Sequence, residues 1–371
     1  MMTSKERMMR ALRRENPDRL PVTIHQWQEY HLQTYMEGRD QLEAFLHVGL
    51  DASVTPPVMS LVEDSPEWKV TSEVRPPDDR GAVETRFKIE TPSGTMNYSS
   101  CQDEITGYIT EHVSKSLDEA EMFLRHYPGM VLDRDALSGW YDRTGDHGIV
   151  RGFVSMTPHG QPGVWQDFVE MIGTQDAIFL AMDEPEHVHS ILGRIADFKV
   201  AFVHEQMRGA KYDLIEHGGG AASSTVISPG MFEEFCAPYD RKVIDALHEC
   251  GFPVVYHTCG GMMAILDKIP MNGCDASETL SPPGVGGDIR PEDRATVKNV
   301  LGSKVGLVGG LDQSNVLEKG SPQQVRDEVH ALFDGFGKDG GYICSASDHF
   351  FRAPVENLKA MSLAANDCHY Q

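Results

Sequence analysis

A histidine and a cysteine two residues apart, His257 and Cys259, close the run Pro253-Val254-Val255-Tyr256, and two glycines, Gly260 and Gly261, follow at once. The β-branched and aromatic run reads as a buried strand. In an extended segment residues i and i+2 share a face. An imidazole and a thiolate so placed can share one borderline or soft cation, and zinc takes that ligand pair. The glycines remove bulk where a metal and a substrate need room. A packed core histidine beside an inert cysteine has the same spacing, which alone does not separate the two readings.

Other reactive side chains follow a pattern. From about residue 148 strand-like runs alternate with helical ones: 149–156, 212–216, 253–257, 273–278, 305–308 and 341–344 as strands, with helices over 185–208, 229–250, 322–336 and 354–365. Several of these helices open on proline after a capping residue. The alternation predicts a parallel sheet. With 20–24 and 52–56 added, the eight strands predict a closed (β/α)8 TIM barrel, with 1–371 as one domain. A short helix over 5–14 precedes it, after the capping-box spacing Thr3 to Glu6. Residues 66–113 differ in texture. They read as an antiparallel β insertion, too small to stand alone, with strands 68–74, 83–90 and 105–113 between turn-rich segments.

A barrel places its active site at the carboxyl ends of its strands. Those positions collect His25-Gln26-Trp27, His159, Glu216, His257 and Cys259, Glu278, Gly310 and Asp312, and Cys344 through Asp348 and His349. Singly, His159 is most simply a loop residue, Glu278 a solvated carboxylate, and the remaining cysteines packing residues. Their coincidence at one rim fits a metal or acid–base site.

Composition narrows the partners. A net charge of −23 argues against nucleic acid and anionic membrane. It also disfavours a polyanionic substrate. Seven cysteines without framework spacing point to a reducing cytoplasm. No secretory-signal pattern or membrane-length apolar run occurs. GxGxxG, Walker A and GxSxG sequences are also missing.

Several segments together resemble the uroporphyrinogen decarboxylase superfamily, and within it the corrinoid-dependent methyltransferases. They are Thr3-Ser4-Lys5-Glu6-Arg7 through Pro17-Asp18-Arg19-Leu20-Pro21, Ile227-Ser228-Pro229-Gly230, Tyr256-His257-Thr258-Cys259-Gly260, Gly309-Gly310-Leu311-Asp312 and Gly340-Gly341-Tyr342. The insertion around Glu90-Thr91-Pro92-Ser93-Gly94 adds to the likeness. The decarboxylase branch carries an arginine-rich segment after the first strand. Here that place reads His25-Gln26-Trp27-Gln28-Glu29-Tyr30, with no arginine before Arg39.

The methyltransferase branch implies zinc on His257, Cys259 and a later cysteine. Cys344 is the expected third ligand, with Asp348 and His349 as alternatives. The implied reaction moves a methyl group between a small methylated substrate, O-methyl or N-methyl, and a corrinoid held by a partner protein. The metal serves as Lewis acid on the heteroatom, Glu216, Glu278, His159 and Asp348 as catalytic groups, and His25, Trp27, Gly310 and Asp312 as cofactor-binding groups. A homodimer stays open. The competing expectations are a decarboxylase acting on something smaller than a porphyrinogen, and a barrel that only binds a ligand.

Overall fold

Eight parallel strands form the central sheet of the computed structural model, which describes residues 2–62, 64–156 and 160–370 and leaves the Asp64 side chain aside. They are β1 (Val22–Thr23), β2 (Ala52–Val54), β3 (Gly148–Phe153), β4 (Leu214–Gly218), β5 (Val254–His257), β6 (Ala276–Thr279), β7 (Gly306–Leu311) and β8 (Tyr342–Ala346). Their order is β1-β8-β7-β6-β5-β4-β3-β2, every pairing parallel, with helices on the outside, as in a (β/α)8 barrel. The seam between β1 and β2 is closed by Asp51. Its N–H donates to the Val22 carbonyl at 2.8 Å, and Val22 N–H donates back to its carboxylate at 3.0 Å. Arg7 and Arg19 pair with the same buried carboxylate, at 2.8 and 2.9 Å, so its charge does not stand alone.

Strand alternation sorts the side chains into an inner and an outer set. Ile149, Leu214, Val255, Ala276, Val308 and Ile343 point inward and pack on Met8, Ala11 and Leu12 of helix Ser4–Leu12, which plugs the amino-terminal end of the barrel. Two residues further on come Arg151, Glu216, His257 and Glu278. Period two therefore lifts a polar layer directly above an apolar one. The residues between them, such as Val150, Ile215, Val254, Tyr256 and Cys344, face the helices and join the large outer core. On β7 two glycines break the rule. A Cβ on Gly309, at φ +118°, would lie 1.9 Å from the Thr279 carbonyl oxygen, so only glycine fits there.

Between β2 and β3 the chain builds a five-stranded antiparallel sheet from Asp64–Ser65, Trp68–Val74, Val83–Thr91, Gly94–Gln102 and Gly107–Glu111. The pattern of the sequence does not predict the strand Gly94–Gln102. Asn97, Ser99, Ser100 and Gln102 give it no apolar run, and its ladder with Val83–Thr91 comes from the turn at Gly94 instead. Trp68, Val70, Phe87, Ile89, Tyr98 and Ile109 share one face. They enclose an apolar cavity of about 400 Å³ against Phe123 and Tyr127.

Candidate metal centre

The polar layer is held by strand ends. His25 follows β1, Arg151 lies on β3, Glu216 on β4, His257 on β5 and Glu278 on β6, and all but Glu216 are almost fully buried. One Arg151 Nη2 reaches Glu278 at 2.7 Å and Glu216 at 2.9 Å. His257 Nδ1 lies 3.2 Å from the same Glu278 oxygen and 3.6 Å from Glu216, while His25 Nδ1 lies 3.5 Å from Glu278. The His25 ring sits between those of His257 and His349, with centroids 4.9 and 5.1 Å away.

Charge follows from this geometry. Burial opposes ionisation of Glu278, but Arg151, His25 and His257 outweigh it and hold the carboxyl well below the usual range. Burial likewise works against a charged His257, while Cys259, Glu278 and Glu216 favour it. Asp348 is lowered in spite of burial, by His257, His25 and His349. His349 goes the other way: burial and the neighbouring His25 push it down to about 4.

Beyond β5 the chain brings Cys259 to the same rim. Ligand atoms of His257, Cys259 and Asp348 lie within 4.8 Å of one another. The Gln161 amide nitrogen is 2.9 Å from His257 Nε2 and 3.3 Å from Cys259 Sγ, so both donors aim at one point. With Nδ1 turned to Glu278, Nε2 faces the Gln161 amide and Cys259. This is the carboxylate–histidine arrangement that orients metal-bound imidazoles. One imidazole, one thiol and one carboxylate suit zinc with a position left open. A second group, His25, Glu216, His257 and Glu278, also has ligating atoms within 4.8 Å. The Arg151 guanidinium already supplies positive charge there, which makes it the poorer cation site.

The expected residues divide. His25, Glu216, His257, Cys259, Glu278 and Asp348 come together, and His349 with them. Cys344 does not. On β8 Ile343 points into the barrel, so Cys344 points out into the helix layer, fully buried, and burial pushes its thiol up to about 12. A ligating cysteine must be a thiolate. The expectation of Cys344 beside His257 and Cys259 is therefore corrected, and the residue whose ligand atom does lie within reach of both is Asp348. Trp27 packs edge-on against Phe45 and Phe350 in the core, and Trp165 is likewise buried beside Phe168, so neither lines the rim. A Cβ on Gly310 would meet Leu332 of the outer helix layer at 2.9 Å. Asp312 caps the turn after β7, accepting from Ser314 and Asn315 N–H. His159 lies outside the described residues. Two participants escape the sequence reading. Arg151 is signalled only as a lone charge in Ile149-Val150-Arg151-Gly152-Phe153, and Gln161 carries no signal at all.

The family model described as Uroporphyrinogen decarboxylase (URO-D) matches residues 163–368. The chain belongs to this family. Relatives of the URO-D chain fall into two groups. Methylcobamide:CoM methyltransferase MtbA of Methanosarcina acetivorans is 24% identical over 99% of this chain and 99% of its own length. Uroporphyrinogen decarboxylase of Pseudoalteromonas translucida is 29% identical over 44% of this chain and 43% of its own length. Among solved structures, a methyltransferase from Methanosarcina mazei superposes with a TM-score of 0.68 at 16% identity, covering 99% of both chains, so the two share the barrel fold. No helix among the described residues is long and apolar enough to cross a membrane.

Proposed function

We propose that this URO-D family member is a zinc-dependent methyltransferase, moving a methyl group between a small methylated substrate and a corrinoid carried by a partner protein. The observation that carries the reading is the convergence of His257 Nε2, Cys259 Sγ and the Asp348 carboxylate at the barrel rim. The end-to-end match to a methylcobamide:CoM methyltransferase supports the same reading. Bound zinc supplies a Lewis acid for the heteroatom that gives up or receives the methyl group.

The chain's own residues prepare the site. Glu278 accepts from His257 Nδ1 and fixes Nε2 as the lone pair. Arg151 bridges Glu216 and Glu278, which lessens their mutual repulsion. Glu216 keeps its second oxygen toward His257 and can take a proton at the rim. His349 stands beside Asp348, its Nδ1 3.7 Å from the carboxylate, where burial and His25 disfavour its charged form. A decarboxylase of polycarboxylic substrates would need free cations at this rim. Arg151 is already bound to two carboxylates, which weakens that reading.

The decisive experiment has two steps. Metal analysis of the purified protein should give about one zinc per chain. Corrinoid absorbance then reports methyl transfer with the partner protein, tested both with O-methyl and N-methyl donors and with a thiol acceptor. Protein that stays metal-free after zinc incubation, or that releases carbon dioxide from uroporphyrinogen without zinc, would overturn the proposal.

A further inference from the structure

Gln161 stands where the two ligating atoms meet. Its amide orientation is not arbitrary, although amide oxygen and nitrogen are distinguished only by their partners. Gly220 N–H donates to Oε1 at 2.7 Å, which fixes Oε1 on the Gly220 side and turns Nε2 toward the site. That nitrogen then has two hydrogens for two acceptors, His257 Nε2 at 2.9 Å and Cys259 Sγ at 3.3 Å. The bond to Nε2 requires the tautomer with its proton on Nδ1, facing Glu278 at 3.2 Å, which the geometry supplies. The Gly218-Gly219-Gly220 run makes this docking feasible. A Cβ on Gly220 would lie 2.7 Å from Cys259 Sγ, so the backbone that anchors Gln161 can approach the thiol only as glycine.

We propose that Gln161 is a positioning residue that stands in for the metal, holding His257 and Cys259 in ligating geometry and leaving when the cation enters. This rests on the zinc reading above. The cation and the amide N–H groups seek the same lone pairs, so they cannot both hold them. Metal entry must break both hydrogen bonds, and the apparent affinity is reduced by the fraction of sites the amide holds. Gln161 sits on the segment between β3 and helix Val164–Ile172.

The test uses zinc competition against a chromophoric chelator, and cobalt(II) absorption, on the wild-type chain, Gln161→Leu, Gln161→Asn and Cys259→Ala. Gln161→Leu removes the donor at similar volume. Gln161→Asn withdraws it by one methylene and guards against a misfolded leucine variant. Both should bind zinc about tenfold more tightly, which is ~1.4 kcal/mol, with the thiolate-to-cobalt band unmoved because the amide is no ligand. Equal or weaker zinc binding in both variants, or a shifted cobalt band, would show that Gln161 is a bystander or a ligand. No uptake by any chain would instead sink the metal reading itself, and this inference with it. Cys259→Ala must lose the charge-transfer band if that band reports the site.

Discussion

Two buried polar clusters hang from the same strands and face opposite ways. On β4 Glu216 points into the barrel and His217 points out; on β5 His257 points in and Tyr256 points out. The outward cluster is closely paired, although Asp167 Oδ2, held by Lys199 as an ion pair, has no hydrogen bond. Asp240 receives His217 Nε2 at 2.9 Å, Tyr256 O–H at 2.7 Å and Val164 N–H at 3.1 Å. Next to it Lys199 pairs with Asp167 at 2.5 Å and donates to the Val154 and Pro162 carbonyls, while Met156 N–H donates to Asp167. The inward cluster is crowded instead. Two carboxylates share one arginine, three histidines lie within ring contact, and Arg151 Nε is without a hydrogen bond. Polar groups paired chiefly with one another stabilise a fold and have little left to offer a substrate. Groups held close with capacity to spare are placed for chemistry, and a fold can bear that strain because its neighbours on the same strands are satisfied.

The largest effect should come from breaking the outward side. Lys199→Met leaves Asp167 buried without its cation, and the loss of one partner of a buried pair costs about 3–5 kcal/mol. Urea denaturation should show that loss at neutral pH. A variant as stable as wild type would mean that the outward cluster is not the frame described here.

Next in size is a loss of ligation with little loss of fold. Asp348→Asn removes a carboxylate that is only half-buried, so stability should move by less than ~1 kcal/mol. Zinc affinity should fall by more than the ~10–100-fold that losing an outer partner of a metal ligand costs. Chelator competition and a urea curve on the same sample check the two halves. A large stability loss with unchanged zinc binding would invert the comparison.

How far the sequence reaches is visible in these same pairs. His257 and Cys259 were legible because period two and residue chemistry coincide in one short strand. Eight strands were legible because apolar runs alternate with proline-started helices. The third member of that group was not. Whether Cys344 or Asp348 meets His257 depends on which way β8 faces and on how its loop returns, and both are set by pairing with β1 and β7 rather than by local pattern. Arg151 and Gln161 were missed for a related reason. Their partners are 65 to 127 residues away for the arginine and 59 to 98 for the glutamine, along contacts that only the closed barrel creates.

A moderate, pH-dependent effect should mark the outward cluster. Burial alone would raise the Asp240 pKa, but His217, Tyr256 and Val164 N–H together hold it below the usual carboxylate range. A carboxyl whose folded pKa is depressed adds stability that is complete above its unfolded pKa, about 4, and is lost as pH falls through the folded value. Urea midpoints of the wild type should therefore drop below about pH 4, and Asp240→Asn should show a shallower acid dependence along with lower stability at pH 7. Parallel acid profiles for the two proteins would show that the cluster does not depend on this charge.

The smallest effect belongs to Cys344. It pairs with Val22 across β1 and β8, among outward-facing residues of the apolar core, with its thiol kept protonated by burial. Cys344→Ala removes one buried sulfur from a packed layer and should cost roughly 1 kcal/mol, near the middle of the range for single substitutions. Zinc stoichiometry and affinity should match the wild type, because Ile343 and not Cys344 faces the barrel interior. The contrast with Asp348→Asn is what matters. Loss of zinc from Cys344→Ala together with its retention in Asp348→Asn would mean that β8 presents the opposite face to the metal, and the assignment of inner and outer clusters on that strand would have to be exchanged.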